Sequence, residues 1–230
     1  MCGRFTVTSP AEILARDFGF EPPSSFAPRY NICPGQAIGV VRPGETEGLR
    51  ELAFLHWGLV PHWMKERPRD ARLINARSET VADKPSFRDS FRKRRCLVPA
   101  DGFFEWKAGP GGKQPYLIRM RSGAPFAIAG IWARWTGGEG DPLESCALLT
   151  TTPNELMAPI HDRMPVLLGQ ENWDVWLDTA GADPRRLQEM LVPAPAEAME
   201  AIAVSRWVNS PRNDDPRCLE PQPRETLFDS

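Results

Sequence analysis

Nothing in this sequence approaches the roughly 18 consecutive apolar residues of a membrane-spanning helix, and its start, Met1 to Pro10, carries no apolar signal-peptide core. Net charge is scarce as well, with 28 basic residues against 30 acidic ones. Bulk electrostatics therefore announce no nucleic-acid ligand, and any polyanion site has to be a local patch. Cysteines number five, an odd count, and no two have Cys-x-x-Cys spacing. That excludes a disulfide framework and a zinc ribbon, and points to a reducing, cytosolic setting. Histidine occurs only at 56, 62 and 161, and no cysteine pair matches His56 and His62, so no metal site is expected. The phosphate-cradling GxxxxGK(S/T), dinucleotide GxGxxG, hydrolase-elbow GxSxG and zincin HExxH patterns are all missing, which leaves no cofactor implied. Tyrosine is nearly absent, at two residues.

Proline and tryptophan are plentiful instead, at 24 and 8 residues. Proline at about double its usual share breaks long helices and multiplies turns. The 230 residues suffice for one large domain with a sizeable core. Ser9-Pro10-Ala11-Glu12 reads as a capping box, Ala11, Leu14 and Phe18 share one helical face, and Gly19 closes that helix. From Ala37 to Ser145 short apolar runs broken by Gly and Pro read as strands, with turns at Gly109–Gly112 and Gly137–Gly140. Two short helices are expected at Glu171–Leu177 and at Pro184–Leu191, the second capped by Asp183. A late strand is expected over Ala201–Val208, followed from about Pro211 by a loosely held polar segment. The pattern predicts an α+β fold: a single domain, residues 1–221, around a curved, mostly antiparallel, barrel-like sheet with peripheral short helices, and a polar tail over 222–230.

Charge is uneven along the chain. Between Lys65 and Arg95 eleven basic residues meet five acidic ones, a net +6, whereas Glu171 to Glu200 carries net −5. Solvated loops and helix faces explain any single charge, but eleven cations in so short a stretch suggest a surface that faces a polyanion.

Five places carry candidate chemistry. Cys2 becomes an N-terminal 1,2-aminothiol if Met1 is removed, with an amine of ordinary pKa about 7.7–8.0 and a thiol near 8.5, both partly available at neutral pH. An aldehyde can form an imine with the amine, and the thiol can then close intramolecularly to a thiazolidine. The plainer reading is a frayed terminus. In Asp101–Trp106, Glu105 lies between Phe104 and Trp106, where poor solvation would raise its pKa toward acid–base use; on an alternating strand it would instead point outward. His161 and Arg163, in a Pro-bounded loop, could shuttle a proton and hold an anion, or form an ordinary turn. Asn75 and Arg77 share a strand face, suited to hydrogen bonding and phosphate contact or to plain sheet surface. Trp63 could stack on bases, whereas Trp57 and Trp132 are expected in the core.

The order of these motifs is more specific than any of them. Cys2-Gly3-Arg4-Phe5, the turn from Tyr30 to Gly35, Trp57–Trp63, Asn75–Glu79, Cys96–Trp106, Ala129–Trp132, Thr150–Asn154, His161–Pro165 and Val204–Asn209 together resemble the SRAP (SOS-response-associated peptidase) family of abasic-site-processing proteins, from Cys2 to about Pro221. The resemblance implies that Cys2 captures the ring-opened abasic sugar of single-stranded DNA as a thiazolidine crosslink. It further implies that Asn75 positions amine and sugar, that Glu105 serves as acid and base, and that His161 assists imine chemistry and reversal. Arg4, Arg77 and Arg163 would hold phosphates, Pro34 and Trp63 would line a kinked strand, and Trp106 would support Glu105. An associated β-elimination lyase activity and autocatalytic exposure of Cys2 are implied too. The chain departs from the pattern at His62-Trp63, where relatives can carry two adjacent aromatics. Two other classes compete: an N-terminal-nucleophile amidohydrolase or peptidase, and a non-catalytic single-strand-binding module. A cytoplasmic monomer is expected, associated with the nucleoid if the source is bacterial.

Overall fold

Asp101 sits where the first helix, the first strand and the longest motif of the chain meet. In the computed structural model, which describes residues 2–46, 48–66, 70, 72–137 and 142–222, its carboxylate accepts from the Thr8 and Ser9 main-chain N–H groups at 2.5 and 2.8 Å and from the Ser9 hydroxyl at 2.5 Å. Ser9 is thereby diverted from the expected capping box: helix α1 (Ala11–Phe18) starts after Pro10 without a side-chain cap. Its C-terminus is as expected, with Gly19 at φ 74° donating to the Ala15 carbonyl, and it buries Leu14, Ala15 and Phe18.

Strands β1 (Phe5–Val7), β2 (Arg29–Ile32), β7 (Gly102–Gly109), β8 (Gly112–Met120) and β13 (Met199–Ala203) make one antiparallel sheet in the order β13-β8-β7-β1-β2. Gly102 is required where this sheet is tightest, because a Cβ there would lie 2.7 Å from Leu117 Cδ1 and 3.1 Å from the Ile118 carbonyl. The second sheet runs β11-β10-β4-β3-β6-β9-β12, built from β3 (Ala37–Pro43), β4 (Arg50–Trp57), β6 (Arg95–Ala100), β9 (Phe126–Trp135), β10 (Leu143–Thr151), β11 (Met164–Pro165) and β12 (Leu167–Leu168). It curves strongly, because β9 pairs with β10 as well as with β6. The exceptions to antiparallel pairing are β10 with β4 and β10 with the short β5 (Asn75–Arg77). The fold is α+β, mostly sheet with a few short helices, as its short apolar runs require.

The sheets pack face to face through Phe5, Phe103 and Ile118 on one side and Leu55, Trp57 and Leu148 on the other, all in one continuous core. Each such fully buried side chain contributes about 1.5–3 kcal/mol. Phe5 meets Trp57 edge-on at 5.2 Å, and the Trp57 indole donates to the Ile74 carbonyl at 2.9 Å. Trp57 is thus a core residue, as expected, while Trp132 is only half-buried. Helices α2 (Arg88–Lys93), α3 (Trp173–Leu177) and α4 (Pro184–Glu189) are peripheral; Asp183 caps α4 through the Arg185 N–H at 2.9 Å. Among the described residues no helix is long and apolar enough to cross a membrane.

Three expectations are corrected here. The late strand ends at Ala203, and Arg206–Asn209 turns into a 3-10 helix whose start is capped by the Ser205 hydroxyl, which accepts from the Trp207 N–H. The segment after Pro211 is not loose up to residue 222: Asp214 accepts from the Tyr30 and Asn31 N–H groups at 2.6 and 2.9 Å, Cys218 is buried, and Val204 bridges Pro221. Residues 223–230 of the expected tail, and 138–140 of the expected Gly-rich turn, lie outside the described residues. Finally, Arg95 does not belong to any polyanion surface. It is buried, its guanidinium donating to the carbonyls of Phe91, Arg92, Trp176 and Asp178. Arg95→Leu, which strips donors from these carbonyls, is expected to cost about 2–4 kcal/mol and lower Tm by roughly 5–15 °C in a thermal melt. The exposed neighbour change Arg92→Gln is expected to move Tm by no more than about 2 °C.

Candidate functional site

Cys2 enters the structure one turn of sequence ahead of β1 and is fully buried, at 0% exposure, at the seam between the two sheets. Its carbonyl accepts from Asn75 Nδ2 at 2.8 Å. Asn75 opens β5 and is held there by pairing with Leu148 of β10. The other end of that amide, Asn75 Oδ1, is buried and has no hydrogen-bond partner among the described residues. The Cys2 thiol lies 3.9 Å from the Arg4 carbonyl. Desolvation pushes its pKa well above the ordinary thiol range, and the charge of Glu105 adds to the effect. Burial thus favours the protonated form of the thiol while Met1 is attached. With Met1 still attached the Cys2 nitrogen is an amide, so a nucleophilic amine exists here only after Met1 is lost.

Glu105 reaches the same seam from β7. Alternation along that strand sends Phe103 and Glu105 to one face, while Phe104 and Trp106 join a separate small cluster with Val204, Val208 and Cys218. The carboxylate is thus buried, at 3% exposure, yet not wedged between the two aromatics as anticipated. Burial raises its pKa above the ordinary carboxyl value, while the charge of His161 and the Trp106 N–H pull in the other direction. His161 Nε2 stands 4.0 Å from Glu105 Oε2. The main-chain N–H of Arg163 donates to His161 Nδ1 at 3.0 Å, which places the proton of a neutral imidazole on Nε2, facing Glu105. The exposed Asp162 carboxylate, 2.8 Å from Nδ1, is positioned to take over that nitrogen when the ring is protonated. The turn that delivers His161 is shaped by Asn154, which accepts from the Met157 N–H at 3.0 Å, donates to the Ala194 carbonyl at 2.8 Å, and precedes the His161 N–H bond to Met157 at 2.9 Å.

In front of these groups lies an open cleft of about 550 Å³ lined by Gly3, Arg4, Glu105, Trp106, Lys113, His161 and Asn209. Arg4 forms one wall, its guanidinium 5.6 Å from the Trp106 ring centre and donating to Asn31 Oδ1 at 2.9 Å and to the Val208 carbonyl at 2.7 Å. The Trp106 indole donates to Asn209 Oδ1 at 2.7 Å. Asn31 is fully buried and donates to the Ser210 and Asn213 carbonyls at 3.0 and 2.7 Å, so one amide anchors Arg4 and the chain's last described segment together.

Cys2, Asn75, Glu105, His161, Arg4 and Trp106 are therefore gathered around one seam and cleft. Arg77 is exposed two residues beyond Asn75 on β5. Pro34 is half-exposed in a turn whose Gly35 N–H, at φ 87°, bonds the Trp57 carbonyl at 2.8 Å. Trp63 stands clear of the core at 54% exposure. Arg163 is turned inward at 9% exposure, forked onto Glu79 at 2.5 and 2.9 Å and bonded to the Thr150 carbonyl at 2.6 Å. Its charge is met by the Glu79 carboxylate, and it holds the His161 loop against β10. Sequence reading missed Lys113 and Asn209, which face the cleft from a hairpin and a 3-10 turn remote in sequence; only the Val204–Asn209 motif hinted at the second. Among the described residues no three His, Cys, Asp or Glu side chains gather as a metal site requires.

Comparison with known proteins places the chain in a family. Residues 1–211 match the SOS response associated peptidase (SRAP) family. The chain is 44% identical over 225 residues to the abasic site processing protein YoqW of Bacillus subtilis, covering 96% of this chain and 99% of that one. It is 36% identical over 226 residues to the abasic site processing protein HMCES of Gallus gallus, covering 85% of this chain and 67% of that protein. Its fold superposes on a crystal structure from Bacteroides thetaiotaomicron with a TM-score of 0.85 at 27% identity, covering 96% of this chain and all of the other. The chain belongs to the SRAP family.

Proposed function

We propose that this protein processes abasic sites in DNA by capturing the ring-opened sugar of a single-stranded lesion through Cys2, once Met1 has been removed. The observation that carries the reading is the seating of Cys2, buried at the seam with its carbonyl fixed by Asn75 while Asn75 Oδ1 is left as a buried, unmatched acceptor. An acceptor in that position suits the N–H of a freed terminal amine or a sugar hydroxyl. The names of the relatives supply the substrate class.

The chemistry balances without any redox partner. The Cys2 amine adds to the aldehyde carbon, and the carbinolamine loses water to give an imine. The thiol then adds its sulfur to the imine carbon and its proton to the nitrogen, closing a thiazolidine. A desolvated, protonated thiol suits this last step, because it delivers proton and sulfur together. Glu105, whose pKa burial shifts toward the protonated form, is the acid that helps water leave, and His161 Nε2 relays protons with it. Arg4 and Arg77 hold the flanking phosphates, Trp106 keeps Arg4 in place, Pro34 and Trp63 line the path of the strand, and Arg163 acts by positioning His161. The same imine acidifies the adjacent sugar carbon, so β-elimination of the 3′ phosphate, a lyase activity, competes with ring closure. Hydrolysis of the Met1–Cys2 bond, which consumes one water and releases Met1, is the peptidase step of this reading.

Intact-mass spectrometry with a single-stranded oligonucleotide bearing one abasic site tests the reading. The expected product is Met1-less protein plus DNA minus water, absent with undamaged DNA and with Cys2→Ala. No adduct from protein confirmed to lack Met1 overturns the proposal, and a DNA-independent acyl-enzyme would point to an amidohydrolase instead. Cys2→Ser is expected to give an adduct only when the imine is trapped by borohydride.

Glu105→Gln is expected to slow capture by about 10²–10⁴-fold, the range typical of general acid–base groups. Wild-type rates need a protonated Glu105 and a neutral amine, so they form a bell against pH; the Gln variant should retain only the rise with amine deprotonation. The sign for stability is opposite. A carboxyl whose pKa is raised on folding costs stability as pH climbs from its ordinary value through the raised one. Thermal melts should therefore show Glu105→Gln more stable than wild type at neutral pH, with the difference vanishing below the ordinary carboxyl range; no difference at either pH refutes the desolvation argument.

A further inference from the structure

We infer that the C-terminal end of α2 and the loop at His62 form a second phosphate site, which takes the backbone of the DNA strand where it runs beyond the lesion cleft. The inference deepens the reading above and rests on it. An open cleft of about 420 Å³ is lined by His62, Asp89, Arg92, Lys93 and Arg94. The one acid there, Asp89, lies 3.7 Å from Arg88, and among the described residues Arg92, Lys93 and Arg94 take part in no ion pair. Arg94 lies over the Trp132 ring at 5.7 Å, beside Arg42 at 4.4 Å. Arg42, however, is matched by Glu51 at 2.6 Å and Glu144 at 2.9 Å. The protein thus neutralises the inner arginine of this group and leaves the outer cations unmatched.

Cations in the last turn of a helix also complement its free carbonyls, by a few tenths of a kcal/mol each. That accounts for basic residues ending α2, but not for their convergence on one cleft with His62 from a different segment. Placement favours a nucleic-acid strand. The loop bearing His62 and the exposed Trp63 leaves β4 at Trp57, which pairs with Cys146, while Asn75 pairs with Leu148 on the same β10. The two departure points are two residues apart on one strand, about 7 Å. A strand with its lesion at Cys2 that stacks a base on Trp63 brings its next phosphates toward this cleft, where guanidinium forks suit phosphate oxygens.

The test is Arg92→Gln/Lys93→Gln, both exposed and outside the lesion chemistry, with Arg94 kept over Trp132. Fluorescence anisotropy is read with strands carrying a non-reactive tetrahydrofuran abasic analogue, one with two nucleotides on either side and one with twelve, across a salt series. On the long strand the variant is expected to bind on the order of tenfold more weakly near 0.1 M salt. Its log–log salt slope should be shallower by about 1.4, two phosphates at about 0.7 each. On the short strand the two proteins should bind alike, and adduct yield with a saturating reactive lesion should be equal. An unchanged long-strand slope, or an equal loss on both strands, overturns the inference. Failure of the wild type to form an adduct overturns the proposed function separately, since the anisotropy comparison reads binding alone.

Discussion

The structure depends on one constraint: the second residue of the chain is fixed in the interior, at the seam of two sheets. A terminus ordinarily frays because few contacts repay the entropy of ordering it. Here β1 is only three residues long, but Phe5 packs on Trp57, the Cys2 carbonyl is bonded to Asn75, and Asp101 fastens Thr8 and Ser9 to the β6–β7 corner. Each of these contacts joins the N-terminal strand to a different part of the molecule. An amine released at Cys2 would therefore meet its substrate in a fixed geometry, with the ordering entropy already met by folding.

Burial at the seam sets the electrostatics as well. Cys2 and Glu105 are both pushed toward their protonated forms by loss of solvent. Neutral groups in a desolvated seam are tolerable where ions would be costly, and neutral acids are what proton delivery to a leaving hydroxyl requires. His161, half-exposed and oriented by the Arg163 main chain, connects this protected region to the open cleft.

Arginine serves two separate tasks. Arg95 and Arg163 are interior struts that satisfy carbonyls and a carboxylate. Arg77, Arg92 and Arg94 keep unmatched charge toward the surface, and Arg4 lies between, bonded through Asn31 to the last described segment and open to the cleft. The net +6 of the Lys65–Arg95 stretch is therefore not one patch but a mixture of scaffold and surface, divided by whether each side chain faces the interior or solvent.

Local chemistry alone determined a good deal of this protein. Short apolar runs punctuated by Gly and Pro require strands and turns, Gly19 and Asp183 mark helix ends, and an aminothiol can arise at Cys2 whatever the fold. The motif order suggested which side chains act together. Tertiary structure decided the rest, because each remaining question concerns a partner remote in the chain. Ser9 could not be seen to prefer Asp101 over the helix it precedes, nor Glu105 to face away from its aromatic neighbours. The thiol's protonation depends on the packing around it, not on its position next to the terminus. Arg163 and Arg95 are identical in sequence terms to the surface arginines; only the buried carbonyls and, for Arg163, the facing Glu79 carboxylate separate them. Sequence fixes which groups exist and the period at which they alternate, whereas solvent exposure and charge pairing belong to the folded assembly of distant segments.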